Sequence, residues 1–324
     1  MPLLRIRKNK GMCYQKLQAS PKREAFFLSI GCTLSLALFL TLSPYLSGSF
    51  YPSRSANPCP ASDLPEEELK CAALIDQMLK AVDAVKGLKY DLSVSERLDG
   101  KLRSSESTIK LQRSPRKLYL NIKGTEVLWL EGKNDGDALV NPNRFPYLNL
   151  NLNPYGSLMM ENQHHTIHEV GYDYFKDIIA YAVIQSGNHF DTRFLYEGIK
   201  KMDGRDAYKI MVMNPDFAYK PYRVKKNETL INIARRLRLS EYMIKELNKD
   251  LKSYSDLKEG QEIQIPNSYA KMTLMYLDKN LLLPLYMVVY DDKGLFESYS
   301  YRNLQLNPDF ATDEFTKGFK GYHF

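Results

Sequence analysis

Three histidines and one acid fall within six residues, His164-His165-Thr166-Ile167-His168-Glu169. On a helix, His164 and His168 would share a face at four-residue spacing, and such a pair can hold a zinc ion. A polar Glu-Asn-Gln stretch precedes them and no third ligand is evident. The segment therefore reads as solvated surface at a loop–helix junction, and no metal site and no cofactor are expected. The acid pair Asp291-Asp292 falls in a turn, where it serves turn chemistry. There is no phosphate-binding loop, no dinucleotide fingerprint and no nucleophile elbow. No cysteine stands with a partner histidine. No catalytic residues are expected, and a non-enzymatic role is the leading expectation.

Cysteine usage depends on compartment. Cys13 and Cys32 fall in the first 49 residues, and Cys59 and Cys71 are the other two. Seven basic residues against Glu24 precede or flank the uncharged run from Ala25 to Leu46, and Ser47-Gly48-Ser49 follows it. That is the order of a secretory signal, basic then apolar then small. The run is also long enough to span a bilayer, so a retained signal-anchor stays open. Either way the chain after about residue 50 is exported, to the periplasm or cell envelope of a Gram-negative bacterium. In an oxidising compartment Cys59 and Cys71 suggest a disulfide, with two free thiols as the alternative.

The chain has 324 residues, 44% hydrophobic and 26% charged, which excludes wholesale disorder, collagen and a polytopic membrane protein. Its net charge of +7 sits mostly in the N-terminal segment, so it is not the footprint of a nucleic-acid-binding face. Residues 50–63 are rich in Pro and Ser and read as a linker. Helical spacing of apolar residues predicts a helix over 66–85, ended by Gly87. The period then changes to two. Strands are expected at 88–98, 102–113, 117–122 and 126–131, with turns at Asp99-Gly100, Lys123-Gly124 and Asp135-Gly136. Residues 141–160 read as a long loop. A second helix is expected over 170–185, with Tyr174, Ile178, Tyr181 and Ile184 inward. Strands resume at 194–202, 207–213, 272–277, 282–290 and 296–304. The fold class is α+β: a single curled antiparallel β-meander with covering helices, interrupted by a small βααβ insert. The tail over 306–324 is irregular and aromatic.

The insert, residues 222–266, parses as strand–helix–helix–strand. Asn227 or Thr229 caps a helix striped by Leu230, Ile233, Ala234 and Leu237, and Ser240 caps a second with Met243, Ile244 and Leu247 inward. Tyr222, Val224, Thr229, Leu230, Ile233, Ala234, Ser240, Ile244, Asn248, Leu251, Leu257, Gly260, Gln261, Ile263, Ile265 and Pro266 resemble a LysM module throughout. Asn227-Glu228 stands where that family usually has Gly-Asp, and Asn tolerates the left-handed backbone. The resemblance implies binding of peptidoglycan or another N-acetylglucosamine glycan. The implied groove lies between Asn227, Glu228, Thr229, Leu230 and Ile231 on one side and Asn248, Leu251, Lys252, Ser253 and Tyr254 on the other. A purely structural insert is the alternative.

The host is then discontinuous, 64–219 and 268–324 around a LysM domain at 220–267, with a targeting segment at 1–49. Its helix, its meander and phrases such as KLQRSPRKLYL (110–120), EGKND (131–135) and YSYRNLQLNP (299–308) resemble an exported family of the LolA/LolB-like lipoprotein-carrier superfamily. That resemblance implies a half-barrel holding a lipid, a lipoprotein or another apolar ligand. Trp129, Met211, Met213, Met275 and Met287 are the candidate cavity lining, because several strands are apolar on both faces and Met adapts to varied ligands. The rival readings are a LysM-targeted peptidoglycan-modifying enzyme and a scaffold linking membrane to wall.

Overall fold

The computed structural model describes residues 6–9, 11–14 and 66–324. The apolar run at 25–46, the expected linker and Cys59 lie outside the described residues. Ile6–Asn9 and Gly11–Tyr14 pair as a short antiparallel ladder. Among the described residues no helix is long and apolar enough to cross a membrane.

Helix α1 (Glu66–Ala84) buries Cys71, Leu74, Ile75, Met78 and Val82, spaced three or four apart as one helical face requires. Strands β1 (Gly87–Leu98), β2 (Lys101–Arg113), β3 (Arg116–Ile122) and β4 (Thr125–Leu130) follow as hairpins. At Asp99-Gly100 and Lys123-Gly124 both residues take positive φ, as a two-residue turn matched to strand twist demands. The third expected tight turn is instead a single 3-10 turn, Asn134–Gly136. Two short strands, β5 (Ala138–Asn141) and β6 (Leu150–Leu152), lie in or beside the stretch expected as loop. They are too brief for alternation to show.

Helix α2 (Asp173–Ser186) starts three residues later than expected. Gly171, at φ 99°, passes so close to Leu111 that a Cβ there would lie 2.7 Å from its Cδ2, and the chain turns into the helix only after that contact. The inward face moves with it. Ile179 and Val183 are buried, whereas Ile184, expected inward, is 47% exposed.

Then come β7 (Phe194–Met202) and β8 (Arg205–Met213), followed by the insert: β9 (Tyr219–Arg223), α3 (Leu230–Leu237), α4 (Glu241–Leu247) and β10 (Glu262–Pro266). Strands β11 (Met272–Asp278), β12 (Pro284–Asp291) and β13 (Gly294–Leu306) close the chain's regular structure. The eleven strands form one sheet in the order β6-β5-β4-β3-β2-β1-β13-β12-β11-β8-β7. This corrects the expectation of a single meander. Two meanders meet where β1 pairs with β13, from Glu96 opposite Glu297 to Leu88 opposite Leu306. Local turn signals carry no information about a pairing that spans some two hundred residues.

The sheet is open but curled. Residues from nine of its strands line one cavity, and nine strands about 4.8 Å apart would be about 40 Å across if flat. Helices α1 and α2 pack together on β7, β8 and β11 through Ile75, Met78, Ile179, Phe194, Ile210 and Met275. The C-terminal tail covers the opposite face of β3 and β4. Tyr322 stacks on Tyr119 at 3.7 Å between centroids, and Phe315 joins Tyr119 and Leu128 in one cluster. Both faces of β3 and β4 are apolar: one lies under the tail, and the other belongs to the core and the cavity wall.

Glu126 anchors that tail. It is fully buried and accepts hydrogen bonds from Tyr119 Oη (2.6 Å), Asn143 Nδ2 (3.1 Å) and the backbone N–H of His323 (2.9 Å). Burial alone would push its carboxyl up, but these donors outweigh it and hold it below the usual range. A carboxyl lowered in the folded state stabilises fully above its unfolded pKa of ~4.3 and loses that contribution as pH falls through the folded value. Glu126→Gln is expected to cost about 1–3 kcal/mol at pH 7. Its melting temperature should fall less between pH 6 and 3 than that of the wild type. Parallel melting curves across that range would remove Glu126 from the account.

Candidate functional site

The curled sheet and α2 enclose a cavity of ≈ 730 Å³. Its walls are apolar along Leu92, Ile109, Ile122, Val127, Phe175 and Met287. The mouth carries Lys123, Arg144 and Leu158, all exposed, and the adjoining loop exposes Phe145, Tyr147 and Leu148. Of the five residues expected to line a cavity, only Met287 does so. Trp129 is buried in the sheet core and donates its indole N–H to Gly136 O at 3.0 Å. Met275 is buried under α1 and α2. Met211 and Met213 lie half-buried on β8, at the far end of the sheet from most of the cavity's strands. The doubly apolar pattern on β8 thus reflects covered faces, whereas on β12 Met287 and Val289 line the cavity. Met159, outside the five, does line the cavity.

The other end of the cavity is ionic. Glu96, His165, Glu169 and Glu297 line it together with Tyr269 and Tyr299. The expectation of a solvated histidine cluster is overturned. The segment bends at His164 and His165 and makes a single 3-10 turn only at Ile167–Glu169, so His164 and His168 share no helix face. His164 is fully buried between Tyr242 and Phe296, with centroids at 4.4 and 4.2 Å. Its Nδ1 meets Glu297 Oε2 at 2.7 Å and its Nε2 meets Arg97 O at 3.1 Å. His168 turns the other way and packs against Trp129 and Tyr155. Burial, helped by the nearby Arg235 charge, lowers the pKa of His168 to about 4.

His165 sits among carboxylates. Its Nδ1 lies 3.4 Å from Glu169 Oε2 and 3.9 Å from Glu241 Oε1, and its Nε2 lies 3.3 Å from Glu297 Oε2. Tyr269 Oη is 2.9 Å from Nε2 and also donates to Glu297 Oε1 at 2.5 Å. Burial opposes charge on His165, but Glu297, Glu169 and Glu241 outweigh it and push its pKa well above the ordinary value. Burial, reinforced by the Glu169 charge, pushes Glu241 well up instead. Sequence reasoning missed Glu96, Glu241, Glu297, Tyr269 and Tyr299, and read Glu169 as surface. One signal was present: Glu96 stands in phase with Tyr90, Leu92 and Val94, so an acid occupies an inward register position.

Glu241 belongs to the insert, and the remainder of this cluster belongs to the host. The seam between them holds further polar contacts. Arg235 reaches Glu169 at 3.3 Å and Tyr155 Oη at 2.8 Å. Tyr174 Oη donates to Leu239 O at 2.6 Å, and Asp99 N–H donates to Tyr242 Oη at 2.8 Å. Met160 of the host is buried in the insert's own core cluster.

Within the insert, β9 pairs with β10, Thr229 and Asn232 form a capping box, and Ser240 Oγ accepts from Met243 N–H at 3.2 Å. Asn227 takes φ 61°, the left-handed backbone anticipated for it. The two expected groove loops do meet, since Leu230 N–H donates to Tyr254 O at 2.9 Å. Several of their residues are structural. Leu230, Ile231, Leu251 and Tyr254 are buried in the core. Glu228 accepts from Tyr222 Oη and Lys225 N–H, both at 2.8 Å, and from Arg236. Asn248 ties α4 to β10 through Ile244 O, Gln264 O and Gln264 N–H. Thr229 is occupied as the cap. Asn227 and Lys252 are exposed and Ser253 is half-buried, so these three form the open rim.

Cys71 is a free, buried thiol, and burial pushes its pKa up to about 12. It faces the helix-covered core, and Cys59, the other half of the expected disulfide, lies outside the described residues.

Comparison with known proteins agrees with the insert's geometry. Residues 85–243 match the profile of the family described as protein of unknown function (DUF1571), and residues 222–266 match the LysM domain. No curated protein matches the chain. Among solved structures, the chain is similar to MucB in the Pseudomonas aeruginosa MucA/MucB complex at 13% identity and TM-score 0.37, over 77% of this chain and 61% of that one. It is similar to the Mycobacterium tuberculosis lipoprotein LppX at 11% identity and TM-score 0.36, over 75% and 98%. It is also similar to a LolA superfamily protein from Nitrosomonas europaea at 10% identity and TM-score 0.28, over 74% and 96%. The chain carries a LysM module at residues 222–266, set between two strands of an open, helix-covered antiparallel sheet.

Proposed function

We propose that this chain is a non-catalytic cell-envelope protein that docks on N-acetylglucosamine glycan through its LysM module and holds an acyl chain in the half-barrel. The observation that carries the reading is the cavity: ≈ 730 Å³ with apolar walls, a size and lining ordinary for small-molecule sites. Lys123 and Arg144 at its mouth suit an acyl ligand with an anionic head, while exposed Phe145, Tyr147 and Leu148 suit contact with a lipid surface or lipidated partner. The glycan half rests on the LysM match and on the paired loops at Leu230 and Tyr254. Its open contact set is Asn227, Lys252 and Ser253. Export is supported by the basic stretch and apolar run that precede residue 50, with inner-membrane anchoring if that run is retained.

Two measurements test the two halves separately. The full chain is expected to sediment with insoluble peptidoglycan, and Ser253→Trp, which fills the rim, to reduce the bound fraction several-fold. Equal sedimentation of the two proteins would sink the glycan assignment at this rim. A fluorescent fatty acid is expected to bind the full chain with one site, and Ile109→Trp, which projects into the cavity, to weaken it about tenfold or more. If the probe ignores the wild type, the apolar-ligand reading is wrong.

A further inference from the structure

The cluster at the seam contains a buried carboxylate that makes no hydrogen bond. Glu241 is 1% exposed, and neither Oε1 nor Oε2 has a hydrogen-bond donor. His165 Nδ1 is likewise buried and makes no hydrogen bond, with Glu169 Oε2 at 3.4 Å and Glu241 Oε1 at 3.9 Å. Buried polar atoms are nearly always paired, so two such atoms facing each other at 3.9 Å leave room for an occupant that binds both. The potential ligand atoms of His165, Glu169 and Glu241 all lie within 4.8 Å of one another. Zinc bonds of about 2.0–2.1 Å in a tetrahedral site place ligand atoms about 3.3–3.4 Å apart. The His165–Glu169 separation of 3.4 Å meets that spacing, and His165–Glu241 at 3.9 Å is close to it.

We propose that His165 Nδ1, Glu169 Oε2 and Glu241 Oε1 form a zinc site that clamps the LysM module onto the half-barrel. An imidazole with two carboxylates favours zinc over magnesium or calcium, which take all-oxygen sites. His165 Nε2 faces Glu297 Oε2 and Tyr269 Oη, the outer partners that orient a metal-bound imidazole. Glu169 Oε2 accepts the Thr166 N–H at 2.9 Å, and Oε1 faces Arg235, so this ligand is also held in place. His165 and Glu169 also line the cavity, so the site adjoins it. The neighbouring group of Glu96, His164 and Glu297 is not a second site, because both ring nitrogens of His164 already have partners.

The consequence is a module whose hold on the host depends on metal. This is independent of the glycan and acyl-chain readings, since neither assay above reads zinc. The full chain, stripped with chelator and titrated with zinc chloride, is expected to take up one equivalent. Glu241→Gln and His165→Gln should each weaken uptake more than tenfold. Glu297→Gln, which only orients the ring, should weaken it about tenfold to a hundredfold. Cobalt(II) in the wild type should show the visible absorption of a tetrahedral site, a reading that needs no variant to fold. Zinc should also slow amide exchange across residues 235–247 in the wild type but not in Glu241→Gln. No stoichiometric uptake by the wild type, or unchanged uptake by folded Glu241→Gln, overturns the proposal.

Discussion

The pairing of β8 with β11 is the constraint on which the other features rest. Seven consecutive residues, Ala207–Met213, stand opposite Asp278–Met272 in unbroken register. A slip of one residue would turn Ile210 and Met275 out of the core under α1 and α2. The same ladder forces residues 214 and 271 together, where Asn214 N–H donates to Lys271 O at 2.8 Å. A LysM module, whose own first and last strands pair, meets that geometry without disturbing the sheet. The insert therefore interrupts the sequence of the host but not its hydrogen bonding.

An insert tied at one hairpin end could swing freely. Here it is held along a seam that mixes apolar and ionic contacts. Met160 enters the module's core, Tyr242 stacks beside His164, and Arg235 reaches Glu169. Buried ion pairs add little net stability compared with apolar packing, but breaking one side is costly, so they define a single docking geometry. His164 is satisfied on both nitrogens and closes the seam from within. Glu241 is not satisfied, and the seam's charge balance turns on it.

The host separates its two faces by what covers them. On one side α2 and the concave sheet leave space unfilled, so Tyr299 Oη lies buried without a partner beside Met287 and Val289. On the other, the aromatic tail from Phe310 to Phe324 stacks on Tyr119 and Leu128 and is pinned through Glu126. A densely packed outer face permits an inner cavity, because the strands need not rely on the concave side alone for burial.

Local order was legible because it is written in local chemistry. The period of α1, the Asp99-Gly100 and Lys123-Gly124 turns, Thr229 and Ser240 as caps, and the whole LysM pattern are encoded within a few residues of where they act. The inward face of α2 was misplaced because a close approach between Gly171 and Leu111, sixty residues apart, sets its start. The cavity lining was misplaced for a related reason. Apolar character tells that Met211 and Met275 avoid water, but not whether they meet a helix, a tail or an empty space. His164 and His165 read as surface from their polar neighbours, yet Glu297, Tyr242 and Tyr269 reach them from 78 to 133 residues away. The sequence by itself determined the elements, the insert and the open antiparallel class. Only the tertiary structure decided which strands join the two meanders, which face stays hollow and which charges meet, because those depend on contacts between segments that no local pattern links.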